Sequence, residues 1–337
     1  MKLQHNISLK PYHNFACDEK TQFFTTIKRQ DEIINVANWS KENKKPFLIL
    51  GAGTNVLFTQ NFEGLIAKME IVGIKKLEEL ATEVFLEVGA GENWHHFVMY
   101  CIQKGWGGIE NLSLIPGTVG ASPIQNIGAY GVEVANCIHS VNAYDTQSNT
   151  WINFNKAACL FDYRTSLFKQ TNNRYIIHTV TFKLQKQASI KTDYGVIREV
   201  LHDKNIKHPS ISDISNAIIQ IRSQKLPNPK LLPNAGSFFK NPCITKLQYE
   251  ILKAKFPELI AHPISDESYK VAAGWLIAAC DWKGVTHGQV GCYENQALII
   301  INYGTNSGNE IFVFSEAIKK LIHEKFGITL ETEVNVL

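Results

Sequence analysis

Several short runs in this sequence combine residue types that do chemistry. Tyr163-Arg164-Thr165-Ser166-Leu167-Phe168-Lys169 sets an arginine beside an aromatic ring. A guanidinium binds a carboxylate bidentately or steadies developing negative charge, although an isolated arginine is more often a surface charge. Asn234-Ala235-Gly236-Ser237-Phe238-Phe239-Lys240-Asn241-Pro242 is polar at both ends with an aromatic pair inside, and Gly236 lets the backbone set Ser237 in a tight spot. The same run also fits a plain turn. Alternation from Ile328 to Val336 predicts a terminal strand with Ile328, Leu330, Val334 and Val336 on one face and Glu331, Glu333 and Asn335 on the other. Such a face is usually solvated, but a carboxylate brought against Ser237 and Arg164 supports proton transfer. The histidines are scattered, and adjacent His95 and His96 point in different directions on a helix, so no metal-ligand constellation emerges.

The glycines suggest a ligand. Gly51-Ala52-Gly53 follows a strand, but Val56 stands where a dinucleotide fingerprint needs its third glycine, and Asn55 to Thr59 reads as extended rather than helical. Gly89-Ala90-Gly91 does precede a helix, yet Trp94 takes the third glycine position and Glu92 puts a negative charge in the first turn. Either turn alone fits a plain tight turn. Residues 105 to 131 hold seven of the 22 glycines, which lets backbone N–H groups converge on an anion. A wrapped surface loop is the alternative. Taken with the first turn, the segment offers two backbone-lined walls for an extended diphosphate cofactor. A rival chemistry comes from Ser237-Phe238-Phe239-Lys240, which matches the S-x-x-K of penicillin-recognising acyl transferases. Its companions S-D-N and K-T-G are absent, and Pro242 follows too soon for Ser237 to open a long helix.

The elements that must position these groups are those of an ordinary globular chain. At 337 residues, with ~100 to 200 per domain, about two domains are expected. Hydrophobic residues make up 45% and charged residues 19%, and the formal charge of +3 is too small for a large nucleic-acid or membrane footprint. A small-molecule partner follows. The seven cysteines form no C-x-x-C and read as buried free thiols of a reducing compartment. No secretory h-region opens the chain, and the longest apolar stretch, Val271 to Cys280, is far below the ~20 residues of a membrane span, so a cytoplasmic protein is expected.

Strands are predicted at Phe23–Ile27, Phe47–Leu50, Val84–Val88, Ser140–Asp145, Trp151–Phe154, Tyr175–Leu184 and Ala297–Asn302. Helices are predicted at Asp31–Asn43, from Trp94, and at Asp213–Arg222, Thr245–Phe256, Lys270–Cys280 and Glu310–Lys325, with 187 to 212 a connector. The class is α+β.

Taken in order, these segments resemble the bacterial UDP-N-acetylenolpyruvoylglucosamine reductases, flavoenzymes of peptidoglycan synthesis. The matching stretches are G-A-G-T-N-V-L-F (51 to 58), V-G-A-G-E-N-W (88 to 94), I-P-G-T-V-G-A-S-P-I-Q-N-I-G-A-Y-G (115 to 131), Y-R-T-S-L-F-K (163 to 169), K-L-P-N-P-K (225 to 230), N-A-G-S-F-F-K-N-P (234 to 242), A-A-G-W-L-I (272 to 277) and L-E-T-E-V (330 to 334).

The resemblance implies a vanillyl-alcohol-oxidase-type (PCMH-type) FAD-binding domain over 17–188, of lobes 1–72 and 73–188 holding FAD between them. A connector at 189–212 and a substrate domain at 213–337 follow. It implies FAD contacts from Gly51, Ala52, Gly53, Thr54, Asn55 and Val56, and from Pro116, Gly117, Gly120, Ala121, Ser122, Gln125, Asn126, Ile127 and Gly128. NADPH is the implied transient reductant, and UDP-N-acetylglucosamine enolpyruvate the implied substrate of a monomer.

Residue by residue, Ser237 matches the proton donor, and Arg164 and Glu333 match the pair that steadies the enolate-like intermediate. Tyr163, Tyr194, Lys225, Asn241 and Gln296 match the substrate cleft. Lys191-Thr192-Asp193-Tyr194-Gly195 looks like the tyrosine loop of the longer subfamily, which folds over substrate. His262-Pro263 departs from the pattern, because close relatives carry a tyrosine before this proline. The remaining alternatives are a flavoprotein that only carries or senses, and the serine acyl transferase of Ser237 and Lys240.

Overall fold

The computed structural model describes Met1–Leu337 throughout. Its helices are α1 (Gln30–Asn43), α2 (Trp94–Gln103), α3 (Leu167–Gln170), α4 (Gly195–Asp203), α5 (Ile211–Lys225), α6 (Lys246–Lys255), α7 (Ala273–Ala278) and α8 (Gly308–Phe326). The chain divides into two compact units. Unit 1 comprises Met1–Ile7, Thr21–Gly53 and Glu63–Gln224, and unit 2 comprises Ser8–Lys20, Thr54–Phe62 and Lys225–Leu337. This division differs from the expected boundaries: most of α5 packs in unit 1, and two N-terminal segments join unit 2.

Unit 1 holds two main sheets. The strands Gln4–Ser8, Lys20–Ile27, Phe62–Met69 and Phe47–Leu50 lie in that spatial order, with the last pair parallel. Thr150–Asn155, Ile138–Asp145, Tyr175–Gln185, Glu83–Gly89 and Ile74–Glu79 form the second, antiparallel sheet. Burial alternates along Glu83–Gly89 because one face of the strand meets the core. Against it packs α2, started by Asn93, whose side chain accepts the His96 N–H at 2.9 Å. Trp94, Phe97 and Phe182 meet there with ring centroids 4.8 to 6.0 Å apart. The Trp94 indole donates to the Leu112 carbonyl at 2.9 Å, so a large ring is buried with its one donor satisfied. Truncating such a ring costs about 3–5 kcal/mol.

The connector expected at 187 to 212 contains a helix. In α4, Ile197 and Leu201 are buried and stand four residues apart, and they cluster with Ile214, Ala217, Ile218 and Ile221 of α5. Few apolar residues suffice when their spacing puts them on one face.

Unit 2 gathers Phe15, Leu57, Phe238, Phe239, Leu276, Ile277 and the inner face of α8 into a second core. The helix expected at Lys270–Cys280 is split: Ser268–Val271 is a strand between Cys243–Thr245 and Ala261–Ser265, and α7 starts at Ala273. Of the expected terminal strand only Asn335–Val336 forms, pairing in parallel with Val56–Leu57. Leu330 and Val334 are buried as the alternation requires, but residues 331 to 334 bond to 238–240 and Asn335 onward to 55–57. The change of partner breaks the ladder. Five cysteines are buried free thiols, with burial pushing Cys17 to about 12, while Cys243 is exposed and Cys280 half-buried. No helix is long and apolar enough to cross a membrane.

One contact ties the discontinuous pieces of unit 2 together. The Gly308 N–H at the start of α8 donates to the buried Glu19 carboxylate at 2.6 Å, and burial pushes that carboxyl upward. A Cβ on Gly308 would lie 1.8 Å from the Phe58 carbonyl oxygen. Gly308→Ala is expected to destabilise the protein by about 3 kcal/mol in urea unfolding, with activity per folded molecule retained.

In unit 1, the Asp145 carboxylate is buried and takes two hydrogen bonds from Arg174, at 3.1 and 2.8 Å. The Arg174 guanidinium holds it well below the usual carboxylate range. Its stabilisation is therefore present above an unfolded-chain pKa of about 3.9 and lost as pH falls through the lower folded value. The stability gap between wild type and Asp145→Asn should narrow steadily below about pH 4. A constant gap down to about pH 2 contradicts the pairing.

Candidate active site

In unit 1 the two glycine walls meet. A Cβ on Gly51 would stand 2.6 Å from Thr118 Oγ1, and one on Gly120 would stand 2.5 Å from Ala90 Cβ. Backbone bonds lock this approach: Gly120 N–H donates to Ala90 O and Val119 N–H to Glu92 O, both at 2.8 Å. The second glycine turn is filled by its own chain, because a Cβ on Gly89 would meet Ile71 O at 2.5 Å and one on Gly91 would meet Glu70 backbone at 2.8 Å. That turn is a packing device. The first turn and residues 116–128 remain as the candidate surfaces for a close backbone approach to a ligand.

Side chains in the second wall are already engaged. Asn126 is fully buried; its amide donates to Glu133 Oε2 at 2.8 Å and to Asp162 O at 3.2 Å, and its oxygen accepts the Ala135 N–H. Ser122 Oγ donates to Val119 O. Asn126 has both amide donors spent within the protein, and Ser122 keeps only acceptor capacity on its hydroxyl. Asn126 thereby anchors the turn bearing Tyr163 and Arg164, in which Asp162 and Thr165 exchange backbone hydrogen bonds. Arg164 occupies the turn position with φ 55°, where a side chain is strained and glycine is usual. Its guanidinium donates to Gly128 O at 2.8 Å, which aims it at the glycine-rich wall, and it lies over the Tyr163 ring at 5.5 Å. Tyr194 precedes α4, is 53% exposed, and sets its ring edge-on against Tyr130 with centroids 5.6 Å apart.

Unit 2 carries the other candidate residues. Gly236, at φ 74°, is bonded to Asn234 Oδ1 and turns the chain so that Ser237 is exposed while Phe238 and Phe239 are buried. Phe239 bridges Thr332 antiparallel, Glu333 N–H donates to Phe238 O at 2.8 Å, and Lys240 N–H donates to Glu331 O. This pairing sets Glu333 across from Phe238. Asn55 donates to the Glu333 carbonyl at 3.2 Å.

The Lys240 amine is held by Glu331 at 2.7 Å, so it is committed away from the serine partnership that the S-x-x-K reading needs. Asn241 Oδ1 accepts the Ala273 N–H at 3.0 Å, and a Cβ on Gly274 would lie 3.0 Å from Gln296 Oε1, so both residues stand at the start of α7. Lys225 is exposed at the end of α5, and His262 is exposed on the strand Ala261–Ser265.

Residues 227–337 match a family model described as UDP-N-acetylenolpyruvoylglucosamine reductase, C-terminal domain, and residues 21–153 match an FAD binding domain. The UDP-N-acetylenolpyruvoylglucosamine reductase of Amoebophilus asiaticus is 44% identical over 338 residues, covering 100% of both chains. The chain belongs to this reductase family. The enzyme of the same name from Pseudomonas aeruginosa is 40% identical over 100% of this chain and 99% of its own. The solved structure of UDP-N-acetylenolpyruvylglucosamine reductase from Thermus caldophilus aligns with a TM-score of 0.70 over 100% of this chain and 99% of that one, at 19% identity, which establishes the fold. The α+β, PCMH-type expectation holds.

The role of Asn126 in placing the Arg164 turn was not visible in the motif, where it reads as one more ligand contact. Asn126→Asp removes two donated bonds and sets a carboxylate against Glu133. A loss of about 2–3 kcal/mol in stability and a lowered kcat are expected, read by thermal unfolding and steady-state kinetics.

Proposed function

We propose that this reductase converts UDP-N-acetylglucosamine enolpyruvate to UDP-N-acetylmuramate with NADPH as the reductant and Ser237 as the proton donor. The observation that supports the reading is the pairing of residues 238–240 with 331–333, which brings the segment bearing Glu333 against the one that follows Ser237 in unit 2. FAD, when bound, would supply two-electron hydride transfer between NADPH and the enolpyruvyl double bond.

The chain's own residues do the remainder. The close-set backbone of Gly51, Ala52 and Gly53 and of Pro116 to Gly128 fits a diphosphate that must be approached without side chains between. By the resemblance, Thr54, Asn55 and Val56 also contact FAD. Arg164, strained and directed by Gly128 O, offers positive charge to the substrate carboxylate as electron density builds there. Ser237 gives its proton to the carbon next to that carboxylate, so the double bond gains one hydride and one proton. Being exposed, it regains a proton from water. A hydroxyl is a weak acid, so the transfer depends on placement and on the polar neighbourhood that Glu333 provides.

Asn241 has one side of its amide committed to Ala273 and keeps its NH2 for a ligand. Lys225 suits the UDP diphosphate as a mobile point charge. Tyr163, Tyr194 and Gln296 complete the substrate contacts. The free thiols support a reducing, cytoplasmic setting, and the reading takes the enzyme as a monomer.

In anaerobic stopped-flow, NADPH should bleach the flavin, and the enolpyruvyl substrate should restore its colour with formation of UDP-N-acetylmuramate. Ser237→Ala should leave the bleaching rate unchanged and slow the recovery by about 10²–10⁴-fold. Recovery only on admitting oxygen removes the substrate assignment, and an undiminished rate in Ser237→Ala removes the serine.

A further inference from the structure

The structure half-buries a positive charge that no carboxylate pairs with. Arg222 lies near the end of α5, one turn after Ile218 and beside Ile221, so the buried apolar face of the helix carries it inward. Its Nε is buried without a hydrogen-bond partner. No carboxylate pairs with it; the Tyr130 phenol is the only side chain that favours its charge, and burial works against it. His95 lies close enough to feel the same charge unfavourably. A guanidinium does not shed its proton to escape this cost.

The surroundings are built rather than accidental. Tyr130 is held at φ 51°, in the left-handed region. The side chain of Asn111, 1% exposed, donates to Tyr130 O at 3.2 Å and to Lys191 O at 3.3 Å. It thus joins the glycine-rich segment to the segment that carries Tyr194, whose ring rests on Tyr130. A strained tyrosine and a buried amide together present an uncompensated arginine below an exposed aromatic ring. An arginine kept in such a place, at a cost to the ligand-free fold, is suited to an anion that arrives with a ligand.

We infer that Arg222 is an anion-binding residue, oriented by Tyr130, that receives a diphosphate oxygen of one of this enzyme's nucleotide ligands. FAD, the UDP-sugar and NADPH share that chemistry. The inference uses the family reading only to choose these probes, and it is independent of the role of Ser237.

The test titrates FAD into the flavin-free protein, and UDP and NADP+ into the FAD-loaded protein, for wild type, Arg222→Gln, Arg222→Lys and Tyr130→Phe. Arg222→Gln should raise the Kd of one probe at least about tenfold, Arg222→Lys should recover only part of the loss, and Tyr130→Phe should cost a few-fold. Whichever probe weakens names the source of the diphosphate. The ligand-free Arg222→Gln protein should melt no lower than wild type, because an uncompensated charge has gone.

Unchanged Kd values for all three probes overturn the inference, as does a lowered ligand-free Tm with unchanged binding, the mark of a purely structural arginine. If Arg222→Gln fails to fold, Arg222→Lys decides, since it keeps the charge and loses the fork: unchanged binding overturns the inference, and weakened binding supports it. Failure of wild type to bind any probe would count against the family reading instead.

Discussion

Backbone packed against backbone, with no side chain between, is the constraint on which unit 1 depends. Thr118 can reach Gly51, and Ala90 can reach Gly120, only because each glycine lacks the carbon that would fill the space. The bonds Gly120 N–H to Ala90 O and Val119 N–H to Glu92 O then fix the loop to the turn after Glu83–Gly89. A long irregular segment so anchored behaves as part of the scaffold, with most of its N–H groups from Val119 to Ile127 spent on the protein's own carbonyls.

Buried polar groups divide by whether the fold satisfies them. Asn126 uses both donors and its acceptor within the protein, and what it gains is the position of the Arg164 turn. Asp145 and Arg174 neutralise one another. Arg222 has neither kind of completion. Arg164 stores cost in its backbone instead, holding a left-handed φ that a glycine would adopt freely.

Unit 2 reaches the same end by chain pairing. Its pieces come from three places in the sequence, and the residues that matter lie where the last segment changes partner, first against 238–240 and then against 55–57. A regular strand would have carried Glu331, Glu333 and Asn335 on one uniform face. Because the ladder breaks, Glu331 turns to Lys240, Glu333 bonds through its backbone to Phe238, and Asn335 bonds to Asn55. Carboxylates two residues apart thus take different work.

The α+β class, the long helices α1, α2 and α8, and the strands Phe47–Leu50, Glu83–Gly89 and Tyr175–Gln185 were legible from periodicity and caps, because local spacing decides which face can be buried. The motif residues Arg164, Ser237 and Glu333 were legible as types. Helix α4, the split before α7 and the broken terminal strand were not, since each depends on partners distant in the chain. Nor did spacing show that Gly89 and Gly91 pack against their own chain, or reveal that Asn126 and Asn111 are tethers. The sequence by itself determined which residues could do chemistry and which segments could be helix or strand. Only the tertiary structure decided which of them have their hydrogen bonds and charges satisfied, because satisfaction is a property of neighbours that folding brings together.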